Sequence, residues 1–407
     1  LHPAAALNRS DVQHRQRHTR GSSTCGDARH RDIGNAGCSR VDLLWVTARR
    51  FGEDLPQRTQ IEVARALTAR GWKVTFAAPK SDIAKQVVAD AGANLIDVER
   101  SRTGGMGWIT FGRSLKRTLP DILATGDFDV ALVGWQGIAG SHKALRASNT
   151  PWLLVDRGPP VFSSILGRLQ RWEYRRAWRL AESAAGYVVK SQALADWAHE
   201  NTSCSKPMTL MPAGVDLERF QLGQNSNPPV IIYHGRLDAE RNVSLLVDIG
   251  DELMAQGHEI AMHLIGAGNA WDSLARCAHE RSWLTLSAAV TPEEIPGILS
   301  VADVGLFPLP DSPQWRVASA LKIREWAACG LPVVASDIES HRTLGERGWL
   351  RLLPANSPPD VWGEMILAVL AERAELGRKA RRDAESEFSW EMATEALHER
   401  LLELTGA

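Results

Sequence analysis

Cysteine is scarce and scattered in this chain. The five residues, Cys25, Cys38, Cys204, Cys277 and Cys329, are odd in number and form no C-x-x-C pair. This argues against a disulfide framework and against a zinc site. Long apolar runs are also missing. Nothing approaches the roughly 20 residues needed to span a bilayer, and the N-terminus lacks the apolar core of a secretory signal. The expectation is a cytoplasmic protein, touching at most the inner face of a membrane. Charge of one sign is not in excess either. Lys and Arg number 47 against 48 Asp and Glu, for a net charge of −1, so nucleic acid is not expected as the main partner.

What is present is material for two domains: 407 residues, 44% hydrophobic and 23% charged, an ordinary globular balance. Residues 1–40 stand apart, with seven Arg, four His and almost no large apolar side chains. Such a segment cannot bury enough surface to offset its chain entropy and is expected to be disordered. A basic arm for an anionic partner is the other reading.

From Val41 the pattern becomes β-α-β. Val41 to Val46 reads as a buried strand. Ile61, Ala64 and Leu67 recur at helical spacing up to Gly71, and Trp72 to Ala78 alternates. Phe128 to Gly134, Trp152 to Val155 and Tyr187 to Val189 are further strands. Lys206 to Phe220 is a proline-marked connection, and Gln221 to Pro229 is turn-rich. The pattern restarts with a strand at Val230 to Tyr233 and a turn at His234-Gly235-Arg236. Strands at Glu259 to Ile265, Val304 to Phe307 and Val333 to Ala335 follow, with Gly266-Ala267-Gly268 ending the first of these. Two successive α/β halves imply two doubly wound parallel-sheet domains facing a central cleft, with ligands outside the carboxyl ends of the strands. The boundaries are 41–216 for the first domain, 217–229 for the linker and 230–385 for the second domain.

The stretch Ser319 to Ser336 carries the most chemistry. Ser319 is placed to cap a helix ending at Gly330, followed by a buried strand. A helix start presents free N–H groups and a positive dipole end, which suits a diphosphate. Glu325, one turn after Leu321, can face the same cleft and accept hydrogen bonds from ribose hydroxyls. The same residues equally fit a surface helix with a capping Ser and an exposed Glu.

This stretch resembles the donor-site signature of the family 4, or group 1, glycosyltransferases, in the variant Ser319-Ala320-Leu321-Lys322 with its second Glu at Glu325. Val317 stands where the family has its first Glu, and Asp311 and Arg316 are the nearby polar groups. Met211-Pro212-Ala213-Gly214-Val215-Asp216 with Phe220 resembles the family's interdomain motif. His234 to Asn242 resembles its Gly-Arg-Leu-x-x-x-Lys-Gly turn, with Arg236 in the Arg role and Arg241 in place of Lys. Gly266 and Gly268, the 302–308 strand and Phe388-Ser389-Trp390 also fit, and these five companions of the Ser319 stretch, in order over about 180 residues, form a specific set.

The resemblance implies a GT-B fold with residues 386–407 crossing back onto the first domain. It also implies a retaining glycosyltransferase without metal or cofactor, moving sugar from a nucleotide-diphosphate sugar to a hydroxyl acceptor (glycan, lipid-linked or small molecule). Arg236 and Arg241 would stabilise the leaving diphosphate. Gly235, Gly266, Gly268, Val290, Ser319, Ala320, Leu321, Lys322 and Glu325 would hold the donor. A GT-B epimerase, a phosphorylase or a non-catalytic scaffold would share these motifs.

In the first half, Asp156 at a strand's carboxyl end is a candidate to orient the acceptor hydroxyl. Arg157 and His142 are candidate acceptor contacts. A local salt bridge for the Asp-Arg pair and a structural role for the histidine stand beside these. Residues 165–180 interleave Arg168, Arg171, Arg175, Arg176 and Arg179 with Trp172, Tyr174 and Trp178. They fit either peripheral membrane contact or a solvated helix with its aromatics turned inward.

Overall fold

The computed structural model describes residues 41–54, 57–101, 107–160, 165–202 and 204–407. The 1–40 segment lies outside them.

The first half contains β1 (Asp42–Val46), α1 (Gln57–Ala69), β2 (Lys73–Pro79), α2 (Ala84–Ala89), β3 (Asn94–Val98), α3 (Gly107–Thr125), β4 (Val130–Gly134), α4 (Trp135–Ser148), β5 (Trp152–Asp156), α5 (Ile165–Leu180), β6 (Gly186–Val189), α6 (Gln192–Asn201) and β7 (Met208–Leu210). The second half begins with β8 (Val230–Arg236), α7 (Ser244–Ala255), β9 (Ala261–Ala267), α8 (Trp271–Glu280), β10 (Leu284–Ala288), α9 (Ile295–Leu299) and β11 (Val304–Phe307). It continues with α10 (Pro313–Arg316), α11 (Leu321–Ala328), β12 (Val333–Ser336), α12 (Glu339–Arg342), β13 (Leu350–Leu353), α13 (Pro359–Ala371), α14 (Arg373–Glu387) and α15 (Trp390–Thr405).

The sheets run β3-β2-β1-β4-β5-β6-β7 and β10-β9-β8-β11-β12-β13. Every pairing is parallel. Parallel strands are covered on both faces, so the central ones are apolar throughout. In β1, Leu43 and Trp45 enter one core layer while Leu44 and Val46 enter the other, the period-two alternation of a strand. Strand order reverses between β1 and β4 and between β8 and β11. Those switch points are where such sheets open a ligand crevice.

Two expectations change. His234-Gly235-Arg236 is not a turn but the end of β8, paired up to Arg236 with Ala267. The strand expected from Phe128 begins at Val130. The residues before it, Asp127-Phe128-Asp129, have the spacing of a metal-binding Asp-x-Asp. Asp129 instead accepts the Asp42 N–H at 2.7 Å, at the end of the sheet opposite the crevice.

The chain crosses between halves twice, side by side. Val215 N–H donates to the Phe388 carbonyl at 2.7 Å, and Val215 bridges Ser389. Ser389 then caps α15, its hydroxyl accepting the Met392 N–H. Trp390, Ala393, Leu397 and Leu401 of α15 bury themselves in the first half, and Trp72 Nε1 donates to His398 at 2.9 Å. Arginines from both halves grip the other crossing. Arg157 donates to the Met211 carbonyl and Arg324 to the Ala213 carbonyl, each at 2.8 Å.

Candidate active site

The crevice of the second half is built on an aromatic floor. Tyr233 packs against Phe307, Phe307 against Trp326, and Trp326 edge-on to His234, with ring centroids 5.6–6.0 Å apart. The floor fixes the tautomer of a buried histidine. Trp326 Nε1–H, which can only donate, points at His234 Nδ1 at 3.2 Å. The proton of the neutral imidazole therefore sits on Nε2, which donates to Glu325 at 3.1 Å. Burial lowers the His234 pKa, and a second proton would collide with the Trp326 N–H. For Glu325, burial alone would raise the pKa. The His234 hydrogen bond, Lys322 and the more distant Arg58 of α1 outweigh it and keep the carboxylate ionised.

Lys322 crosses over the end of β8. Gly235 has φ +128°, and a Cβ there would lie 2.5 Å from Lys322 Cε and 2.9 Å from Nζ, so glycine both permits the backbone and leaves room for the ammonium. Lys322 Nζ stands 5.7 Å from the centre of the Phe307 ring. Burial, with the charge of Arg241 beside it, pushes its pKa down to about 8 against the pull of Glu325. Arg241 lies on the Trp315 ring, 4.3 Å from its centre, and Trp315 Nε1 is tied to the Glu240 carbonyl at 3.1 Å. Arg241 Nε is buried and has no hydrogen-bond partner among the described residues. Two cations that repel each other thus stand at the start of α11, Lys322 drawn by Glu325 and Arg241 within reach of Asp238. Their repulsion and the unpartnered Arg241 Nε make the crevice receptive to an anion.

Ser319 does not cap this helix. Helix α11 begins at Leu321 with Ala320 in the capping position and no side-chain cap, so Ser319 sits one residue too early. The first-turn N–H groups, which have no intrahelical acceptor, are left for a ligand. Leu321 packs instead toward the core of the first half.

The other expected residues are placed as follows. Arg236 is 57% exposed and held by Asp238 through two hydrogen bonds of 2.9 and 2.8 Å. Gly266 serves backbone packing: a Cβ would overlap the Gly235 carbonyl oxygen at φ +153°, and one on Gly268 would overlap the Leu237 peptide. Gly266→Ala is accordingly expected to destabilise the protein by about 3 kcal/mol, read as a lower denaturant midpoint. Val290 is half-buried beyond β10 against the core of this half. Val317 is buried among side chains of the first half. Asp311 and Arg316 pair with each other at 2.7 and 3.0 Å. These last three line an interdomain cleft of about 560 Å³ with Asp196, Trp197 and Arg342.

Asp156 does not face the crevice. It is fully buried, Oδ2 accepts from the Tyr174 hydroxyl and from Trp178 Nε1, and Oδ1 accepts the Gly158 N–H. Both oxygens are thus engaged inside the protein, away from solvent. Burial raises its pKa, and the residue braces α5 against the loop after β5. Arg157 gives one N–H to the interdomain crossing. His142 bonds the Ile138 carbonyl of its own helix at 3.1 Å. Sequence reasoning overlooked a second cleft of about 580 Å³ at the rim of the first sheet, where Lys80, Arg100, Arg113 and Arg117 converge around one acid, Glu99, which pairs with Arg117 at 3.8 Å. Arg100 Nε there is buried without a hydrogen-bond partner among the described residues.

Two doubly wound parallel sheets joined by paired crossings define a GT-B fold. The chain belongs to the group 1 glycosyltransferases of family 4. The model of glycosyl transferases group 1 matches residues 228–372, and that of glycosyltransferase family 4 matches 57–219. D-inositol 3-phosphate glycosyltransferase of Geodermatophilus obscurus is 25% identical over 83% of this chain and 82% of its own length. Phosphatidyl-myo-inositol mannosyltransferase of Mycobacterium tuberculosis is 23% identical over 76% and 82%. Among solved structures, sucrose-phosphate synthase of Thermosynechococcus elongatus superposes with a TM-score of 0.71 at 18% identity, covering 89% of this chain and 98% of that one. Anabaena HepE, solved with UDP and glucose, gives 0.69 at 14%, covering 89% and 100%.

Proposed function

We propose that the protein transfers a sugar, with retention of anomeric configuration and without a metal, from a nucleotide-diphosphate sugar to a hydroxyl acceptor bearing an anionic group. The Lys322–Arg241 pair at the start of α11, with the buried Arg241 Nε left without a hydrogen-bond partner among the described residues, carries this reading. As the sugar–phosphate bond breaks, negative charge grows on the leaving diphosphate, and fixed cations in a desolvated crevice stabilise it without reorganising. Glu325, held by His234, would receive the ribose hydroxyls. Arg236, more than half exposed, would join the phosphates by leaving Asp238.

The acceptor class rests on the rim cleft, where four cations outnumber one acid, Glu99. It is also supported by relatives whose names specify inositol phosphate and phosphatidylinositol. Retention would be tested by NMR of the product anomer at early times, and metal independence by turnover in chelator. An inverted anomer would overturn the first, and lost activity restored by a divalent ion the second.

The pH profile provides a further check. The protonated ammonium is the active form of Lys322. The kcat/KM should therefore be flat on the acid side and fall as pH rises through about 8, since this parameter reports free-enzyme groups. Lys322→Arg should remove that alkaline fall. A wild-type profile that stays level well above this pH would contradict the assignment.

A further inference from the structure

We infer that helices α3, α4 and α5 together form a docking face for an anionic lipid bilayer. All three pack onto the same side of the first sheet. Phe111 and Leu115 of α3, Ile138 and Leu145 of α4, and Tyr174 and Trp178 of α5 enter one core layer, so their outer sides form one surface. That surface is strongly cationic. The three helices hold ten Lys and Arg against two acids, Asp121 and Glu173, in a chain whose net charge is −1. Glu173 is buried and paired with Arg176 at 3.0 Å, which leaves Asp121 as the exposed carboxylate of these helices. Arg113, Lys116 and Arg117 are exposed on α3, Lys143 and Arg146 on α4, and Arg168, Arg175 and Arg179 on α5.

The centre of α5 adds what a purely electrostatic patch lacks. Arg168, Trp172, Arg175 and Arg179 recur one helical stripe apart, with Leu169 beside them. Trp172 is 54% exposed and Leu169 41%, whereas Tyr174 and Trp178 turn inward onto Asp156. Arg176 lies over the Trp172 ring, 5.7 Å from its centre. An indole and a leucine ringed by arginines match the headgroup–acyl boundary of an anionic membrane: the aromatic enters the interface while guanidinium groups meet lipid phosphates. A nucleic-acid duplex would satisfy the charges but leave Trp172 and Leu169 without an apolar partner.

The test is co-sedimentation of the full chain with phosphatidylcholine vesicles, with and without phosphatidylglycerol. Binding is expected only with the anionic lipid, and it should be lost near about 1 M salt, where the screening length is about 3 Å. The triple variant R168E/R175E/R179E should not bind. Trp172→Ala should bind about tenfold more weakly, since it loses the side chain that enters the interface. Both variants should keep the wild-type melting temperature and calorimetric affinity for nucleoside diphosphate, which separates failure of this inference from failure of the donor assignment. Equal binding to neutral vesicles, undiminished binding by the triple variant, or preferential binding of a DNA duplex would overturn it.

Discussion

Lys322→Ala is expected to lower kcat/KM about a hundred- to a thousandfold, the loss typical when one preorganised donor to a developing charge is removed. The ammonium is held over Gly235 by its own helix, within the electrostatic influence of both Arg241 and Glu325. Water entering in its place would have to reorient as the diphosphate departs, whereas the fixed charge does not. Stability should move the other way. The native protein keeps two mutually repelling cations partly desolvated, so removing one should leave the melting temperature unchanged or raised. A variant that is both inactive and unstable would point to a merely structural lysine.

Glu325→Gln is expected to cost about ten- to a hundredfold in kcat/KM, the range of a hydrogen bond to a charged group. The substitution is chosen because the amide oxygen can still accept the His234 Nε2–H that the Trp326 contact dictates, so the floor of the site stays packed. What disappears is the negative charge. Without it Lys322 keeps only the influences that depress its pKa, and the alkaline fall in kcat/KM should move below about 8. A loss of activity with an unmoved pH profile would separate the ribose contact from the electrostatic coupling and contradict the latter.

The interior of both sheets was legible from residue pattern because buried parallel strands are apolar on both faces. The strands that went unread, β3, β7, β10 and β13, are the four sheet edges. They are short or half-exposed, as the mixed burial of Asn94–Val98 and Leu284–Ala288 shows, so neither alternation nor a continuous apolar run marks them. Within the site, Lys322, Arg241 and Glu325 could be placed because a local motif carries them. The Trp326–His234–Glu325 chain could not, since its partners lie 91 and 92 residues apart in sequence and only the β8–β11 adjacency brings them together. Asp156 misled for a related reason. A carboxylate at a strand's carboxyl end looks free until α5 returns Tyr174 and Trp178 to cover it. Arg236 and Asp238 are two residues apart, a spacing from which their pairing could have been anticipated.

Donor binding at α11 is tested by a crystal structure with the nucleoside diphosphate that most raises the melting temperature of the protein. The two phosphates should lie between Lys322, Arg241 and the first-turn N–H groups of α11, with a ribose hydroxyl on Glu325. Phosphates lodged instead in the rim cleft of Lys80, Arg100, Arg113 and Arg117, with the α11 crevice empty, would contradict it.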